Sequence, residues 1–344
     1  MEIGLYSFGD LTPSPESGQP LDPRQRLADI IAAATLADEA GLDVFAVGEH
    51  HRPDFAVSAT PVVLAAIAQA TRKIRLASAV TILSTADPVR VFEDFATVDL
   101  ISGGRAEIIA GRGVFTESFP LFGHDLADQD QLFAEKLDLL LTLNAVDRVT
   151  WQGRFRSPLQ DAPVAPRPVT SLPMWIGTGG TPESVVRAGQ LGLPLALANI
   201  SVPPARFAPL IARYRETGSA AGHDAAALQV GISSHLHVAK TSQQAMDDFF
   251  PHYAAYFGAH SPSQYRTRVI ARADYDQLAA PDGALFVGSP QQIIDKIMYE
   301  HELFGHQRFM AQIDIGALPF GKVAAVIELL AAEVVPAIRR ATKL

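Results

Sequence analysis

The chain contains no cysteine. That excludes disulfides, thiolate metal sites, iron–sulfur clusters and thiol nucleophiles, although it does not by itself fix a compartment. Basic charge is scarce too: Lys and Arg number 28 against 37 Asp and Glu, for a formal net charge of -9. With no basic stripe to offer phosphates, nucleic acid is not an expected partner. Long apolar runs are missing as well. The most apolar stretch, 56–70, is interrupted by Ser58, Thr60 and Pro61 and is too short to span a bilayer. Met1-Glu2-Ile3-Gly4 leads directly into a strand-like segment, with no basic n-region or signal-peptide core. The expectation is a cytoplasmic protein with neither membrane nor nucleic-acid partner.

What is present is material for a large core: 344 residues, 48% hydrophobic and 19% charged. Strand-like runs fall at 3–8, 43–47, 74–80, 105–113, 174–177, 194–199, 229–238 and 309–315. Between them lie segments of helical period, several opened by a cap followed by proline: Asp22-Pro23, Thr60-Pro61, Asp87-Pro88, Thr181-Pro182 and Ser289-Pro290. Eight strands alternating with helices demand a mainly parallel sheet, and eight units favour closure into a (β/α)8 TIM barrel with insertions. We read 1–344 as a single domain. The proline-rich stretch 149–173 reads as a long connection between halves. The segment 253–282 shows no steady period and is rich in polar residues and glycine, so it reads as a lid insertion.

Barrels of this kind carry their chemistry where strands end and loops begin. Three groups stand at such places. Arg112 lies between Gly111 and Gly113 at the end of a short apolar run, where its planar fork can clamp an anion or salt-bridge a neighbouring strand. Gly177-Thr178-Gly179-Gly180-Thr181-Pro182-Glu183-Ser184 joins a strand to a helix, and its glycines can turn backbone N–H groups toward a phosphate at a helix start. The alternative there is an ordinary capped helix, as at the other cap–proline pairs. Glu49-His50-His51 follows the second strand and offers a general base or hydrogen-bond donor. Strand alternation predicts that only one of the two histidines faces the pocket. His235 and His237 share a face, but the histidines and closing aspartate of a metal-dependent hydrolase are not otherwise supplied, Asp314 aside. We read the pair as a core or substrate-pocket feature, with no metal. His301 and His306 are five apart and diverge on a helix, unlike a zinc-protease motif.

Several stretches, taken in order, resemble the bacterial luciferase-like flavin-dependent monooxygenases over nearly the whole chain. They are Gly48-Glu49-His50-His51, Ala79-Val80-Thr81-Ile82-Leu83, Ala86-Asp87-Pro88-Val89-Arg90, the run 99–105 into the Arg112 strand, and 175–184. The Glu-His-His form is closer to the FMN branch than to the deazaflavin F420 branch. The resemblance implies reduced FMN at the C-terminal face of the barrel, its phosphate held by Arg112 and the Gly179-Gly180-Thr181 turn with Ser184. It implies a non-proline cis peptide at Ala79–Val80 beneath the isoalloxazine ring, Val114-Phe115-Thr116 along the ring edge, and His50 as the catalytic histidine. Glu49 and Thr81 complete the implied cofactor-contacting set. In the family, reduced flavin and oxygen give a C4a-peroxyflavin that oxidises a small-molecule substrate, with a flavin reductase as partner and a homodimer as the assembly. The reactive-cysteine position of luciferase is not retained, which argues against a luciferase. The alternatives are an F420-dependent oxidoreductase, a non-catalytic flavin-binding subunit, and a metal-dependent hydrolase through His50, His235, His237 and Asp314.

Overall fold

Eight parallel strands close on themselves in the computed structural model, which describes residues 1–260 and 269–342. They are β1 (Glu2–Ser7), β2 (Val44–Val47), β3 (Arg75–Ser78), β4 (Ala106–Gly111), β5 (Met174–Thr178), β6 (Leu195–Ala198), β7 (Val230–Val238) and β8 (Arg308–Gln312). Each pairs with the next, and closure comes from β8 lying beside β1 in parallel register, Glu2 opposite Arg308 and Tyr6 opposite Gln312. This is the expected (β/α)8 barrel. Around it lie α1 (Pro23–Glu39), α2 (Thr60–Ala70), α3 (Pro88–Ser102), α4 (Gln129–Ala145), α5 (Pro182–Leu191), α6 (Ala208–Ala220), α7 (Ser242–His260), α8 (Pro290–Phe304) and α9 (Phe320–Leu329).

The helix starts follow local chemistry in most places. Asp22 accepts from the Arg24 N–H, and Asp87 from those of Val89 and Arg90. Ser289 and Gln292 form a capping box. Thr60 departs from this pattern. It is the first helical residue rather than the cap, and its hydroxyl donates to the Gly48 carbonyl at 3.0 Å. The helix thereby pins the loop that carries His50.

Two apolar layers result. The larger packs strands against helices. The smaller fills the barrel interior with Tyr6, Val44, Ala46, Ala77, Ile109, Trp175 and Met310. Beneath it Arg308 donates to Glu107 at 2.7 Å and to Glu2 at 2.8 Å, its guanidinium 4.2 Å from the Trp175 ring centre. Arg75 joins both carboxylates. These four residues stand at or near the starts of four strands, so charge plugs the N-terminal mouth and apolar side chains fill the middle.

Two expectations change. The 149–173 connection contains an antiparallel pair, Arg148–Trp151 with Leu159–Pro163. The first part of 253–282 is not irregular: α7 runs on through Pro251 to His260. Phe249, Tyr253, Tyr256 and His260 recur at helical spacing and are buried, and that stripe holds the helix although proline removes one backbone bond. Arg272–Ala279 is a further short helix. Residues 261–268 of the expected insertion lie outside the described residues.

Candidate active site

The strand ends open on a cavity of about 560 Å³. Its wall is built from several elements, and Tyr6, Trp175 and Met310 from the barrel interior reach into it.

One side comes from the segment after β3. The Ala79–Val80 peptide is cis, as the family resemblance implied. The Val80 side chain occupies room that two glycines leave on neighbouring strands. A Cβ on Gly111 would come within 2.5 Å of Val80 Cγ2, and one on Gly177 within 2.6 Å of Val80 Cγ1. Beyond it, Thr81 and Ile82 pair with Ala110 and Gly111. Glu49 braces this turn: one carboxylate oxygen accepts from the Ile82 N–H at 3.1 Å and the other meets His51 Nε2 at 2.8 Å.

A second side carries His50. Its ring stacks on Phe55 with centroids 4.0 Å apart and meets Phe8 and Phe115 at 4.8 and 5.5 Å. Its Nδ1 is buried with no hydrogen-bond partner among the described residues. Burial foremost, then the nearby His260 and Arg52, depress its pKa to about 3, so the ring is neutral at ordinary pH. His51 also lines the cavity, against the expectation from alternation. The strand ends at Val47, so the two-residue alternation has lapsed by that point.

At the mouth the two candidate anion-binding groups meet. Arg112 Nη2 donates to Thr181 Oγ1 at 2.8 Å, and Arg112 Nη1 pairs with the exposed Asp130 at 2.5 Å. Thr181 holds the cap position of α5, yet its hydroxyl makes no bond to its own helix; it faces Arg112 instead. The N–H groups of Gly180 and Thr181 donate to Thr178 Oγ1 at 3.1 and 3.2 Å. Gly179 faces open space, and buried Ser184 completes the wall.

Of the expected residues, Glu49, His50, Ala79, Val80, Arg112, Val114, Gly179, Thr181 and Ser184 line one cavity. Thr81 and Gly180 do not. Thr81 is buried, its ladder pairing carrying its side chain off the wall, and Gly180 (φ +101°) sits behind the turn, where a Cβ would meet the Phe207 ring at 2.6 Å. Asp314 is off the wall too, bonded to Ser7 at 2.5 Å and paired with Arg26 at 3.0 Å, and burial raises its pKa. His237 stacks on Phe249 at 5.1 Å, whereas His235 does reach the cavity. Among the described residues, no group of three or more His, Asp or Glu side chains is placed to hold a metal. No helix among them is long and apolar enough to cross a membrane.

Sequence reasoning missed Arg308, and it read Tyr256, Phe257 and His260 as part of a lid insertion rather than of a helix; all four are on the wall. The first was signalled by a lone charge opening an apolar strand, the others by the i, i+3, i+4, i+7 spacing from Tyr253. His260 Nδ1 meets Asp54 at 2.8 Å and its Nε2 meets Thr12 Oγ1 at 2.8 Å. Thr12 in turn donates to Asp10, the partner of Arg26.

A family model described as luciferase-like monooxygenase matches residues 1–307. The 4-hydroxyprotoasukamycin monooxygenase of Streptomyces nodosus subsp. asukaensis is 29% identical over 316 residues, covering 87% of this chain and 83% of that protein. Among solved structures, monooxygenase RslO1 from Streptomyces bottropensis superposes with a TM-score of 0.84 at 24% identity, covering 98% of this chain and 99% of that one. The oxygenating constituent of 3,6-diketocamphane monooxygenase from Pseudomonas putida, in complex with FMN, gives 0.79 at 19% identity, covering 98% of each.

Proposed function

The chain belongs to the luciferase-like monooxygenase family and is an enzyme of it, and from that premise we propose that it uses reduced FMN and molecular oxygen to oxidise a small organic substrate. The reading includes a separate flavin reductase and, on family analogy, a homodimer. The observation that carries it is the meeting of Arg112 with Thr181 at 2.8 Å beside the open space at Gly179. A phosphate arriving there finds a guanidinium whose other partner is an exposed carboxylate, a hydroxyl turned away from its own helix, and the positive end of α5. Doubly charged phosphate has the chemistry to displace Asp130 and draw the Gly180 and Thr181 N–H groups from the Thr178 hydroxyl.

Bound reduced FMN supplies the electrons that activate oxygen. Arg112, Thr181 and Ser184 would hold its phosphate, and Val80 with Ala79 would support its ring. His50, neutral and wedged among Phe8, Phe55 and Phe115, can take or give one hydrogen bond at a ring nitrogen without carrying charge into an apolar site. Those aromatic side chains also exclude water from its surroundings.

The test compares reduced FMN with reduced riboflavin in anaerobic titrations. Arg112→Ala should weaken FMN by about 10–100-fold, the worth of a charge-assisted bond, and leave riboflavin unchanged. Equal loss for both, or none, would remove the phosphate assignment. Coenzyme F420 in the same titration is the competing arm: tighter binding of F420 than of FMN would move the reading to hydride transfer. His50→Ala should keep flavin binding and lose substrate oxidation, and oxygen consumption absent in the wild type with a reductase would point to a non-catalytic flavin-binding subunit.

A further inference from the structure

We propose that the part of the cavity lined by His235 is a recognition site for an uncharged aromatic ligand bearing a hydroxyl group, which is read by His235. The inference rests on the oxygenase reading only in taking that ligand as the substrate.

Gly231, Ser233 and His235, alternate residues of β7, line the cavity, and His235 stands opposite Gln312 of β8. The imidazole is 1% exposed, and neither ring nitrogen has a hydrogen-bond partner among the described residues. Leaving one buried polar atom unpaired costs about 1–3 kcal/mol, so two on one ring call for an explanation. Other histidine nitrogens without a partner among the described residues belong to His50, to which the oxygenase reading gives a role, and to His306 and His237. His306 is fully buried away from the cavity, and His237 lies flat on Phe249 off the cavity wall. Of His235, His237 and His306, only His235 faces space that a ligand can enter.

Its surroundings define the ligand. α7 sets Tyr253, Tyr256 and Phe257 around the ring, with centroids 6.0, 5.8 and 5.6 Å away and planes inclined at 85°, 65° and 85°. Trp175, Phe8 and Phe115 continue the aromatic wall. Flat apolar surfaces of this kind favour an aromatic body. Burial lowers the His235 pKa to about 3, so the ring is neutral and presents one donor and one acceptor. A carboxylate ligand would need a cation, and Arg308 on the same wall is already engaged by Glu107 and Glu2. A hydroxyl suits the acceptor nitrogen and can be buried without charge.

The experiment uses the full chain, free of flavin, in equilibrium dialysis against 2-naphthol and its near-isostere 2-methylnaphthalene. The wild type should prefer the naphthol by about tenfold, the size of one hydrogen bond to a buried neutral group. His235→Phe should bring the ratio close to one while still binding 2-methylnaphthalene. His235→Gln, which keeps a donor and an acceptor, should retain part of the preference and serves if the phenylalanine variant does not fold. A ratio unchanged in His235→Phe, equal binding of the two probes by the wild type, or binding of neither overturns the proposal. Reduced-FMN affinity is measured separately on the same variants. Lost naphthol preference with intact FMN binding supports this site, and a wild type with the preference but no FMN affinity sinks the oxygenase reading while leaving this one standing.

Discussion

Gly111→Ala isolates how the cavity wall is built. The added Cβ would lie 2.5 Å from Val80 Cγ2 and 3.0 Å from Val80 Cβ, roughly an ångström inside ordinary carbon–carbon contact at 3.5–4.0 Å. Val80 cannot settle more deeply between the strands, because its other methyl already fills the space above Gly177. The remaining direction is into the cavity. Overpacking of this kind costs about 1–3 kcal/mol. With an unfolding entropy near 2 cal/mol/K per residue over 344 residues, that corresponds to a fall in Tm of about 1.5–4 °C. Reduced-FMN affinity should fall by about tenfold or more, since the displaced methyls enter the volume assigned to the ring. Val80→Ala should rescue both losses when combined with Gly111→Ala, giving a coupling of about 1–3 kcal/mol in a double-mutant cycle. Calorimetry and flavin titration on the four proteins decide it. Simple additivity of the two substitutions would refute the account, because it would mean that Val80 and Gly111 do not share that space.

Other consequences can be checked with similar means. Glu107→Ala should destabilise by about 3–5 kcal/mol in urea, since it leaves Arg308 buried without its closer carboxylate, whereas pairing Glu107→Leu with Arg308→Met should recover most of the loss; equal losses in both variants would contradict this. Asp130→Asn should tighten reduced FMN by about twofold, as expected for relief of an exposed competing charge, and weaker binding would show that Asp130 orients Arg112 instead. Acid should destabilise the fold. Burial holds His50, His235 and His306 near pKa 3, below the usual 6.5, so the unfolded chain binds more protons between those values. Their stabilisation is complete above pH 6.5 and is lost as pH falls toward 3, and urea midpoints that stay level between pH 7 and 5 would rule this out. Glu300 works in the opposite sense. Burial raises it to about 7, so its share of stability is complete below the unfolded value of 4.5 and is lost as pH rises through 7; Glu300→Gln should flatten the curve there.

The order of strands and helices was readable in the sequence because it depends on local patterning: period two, period 3.6, caps and proline. The Arg112 strand and the glycine turn before α5 were readable for the same reason, since each needs only its neighbours to be recognised. Where the local signal stopped, so did the reading. Thr60 looks like a cap but serves the His50 loop, and Thr181 holds the cap position but turns its hydroxyl to Arg112. A hydroxyl has several partners in reach, and tertiary contact selects one. The facing of His50 and His51 went wrong because alternation is a property of extended backbone, which ends at Val47. The sequence alone determined an eight-unit barrel and offered two candidate anion-binding groups. Only the tertiary structure could bring those groups to 2.8 Å of each other, place His235 under the α7 aromatics and put Arg308 beneath Trp175. Ring closure brings residues hundreds of positions apart into one wall, and no local pattern records which side chains meet there.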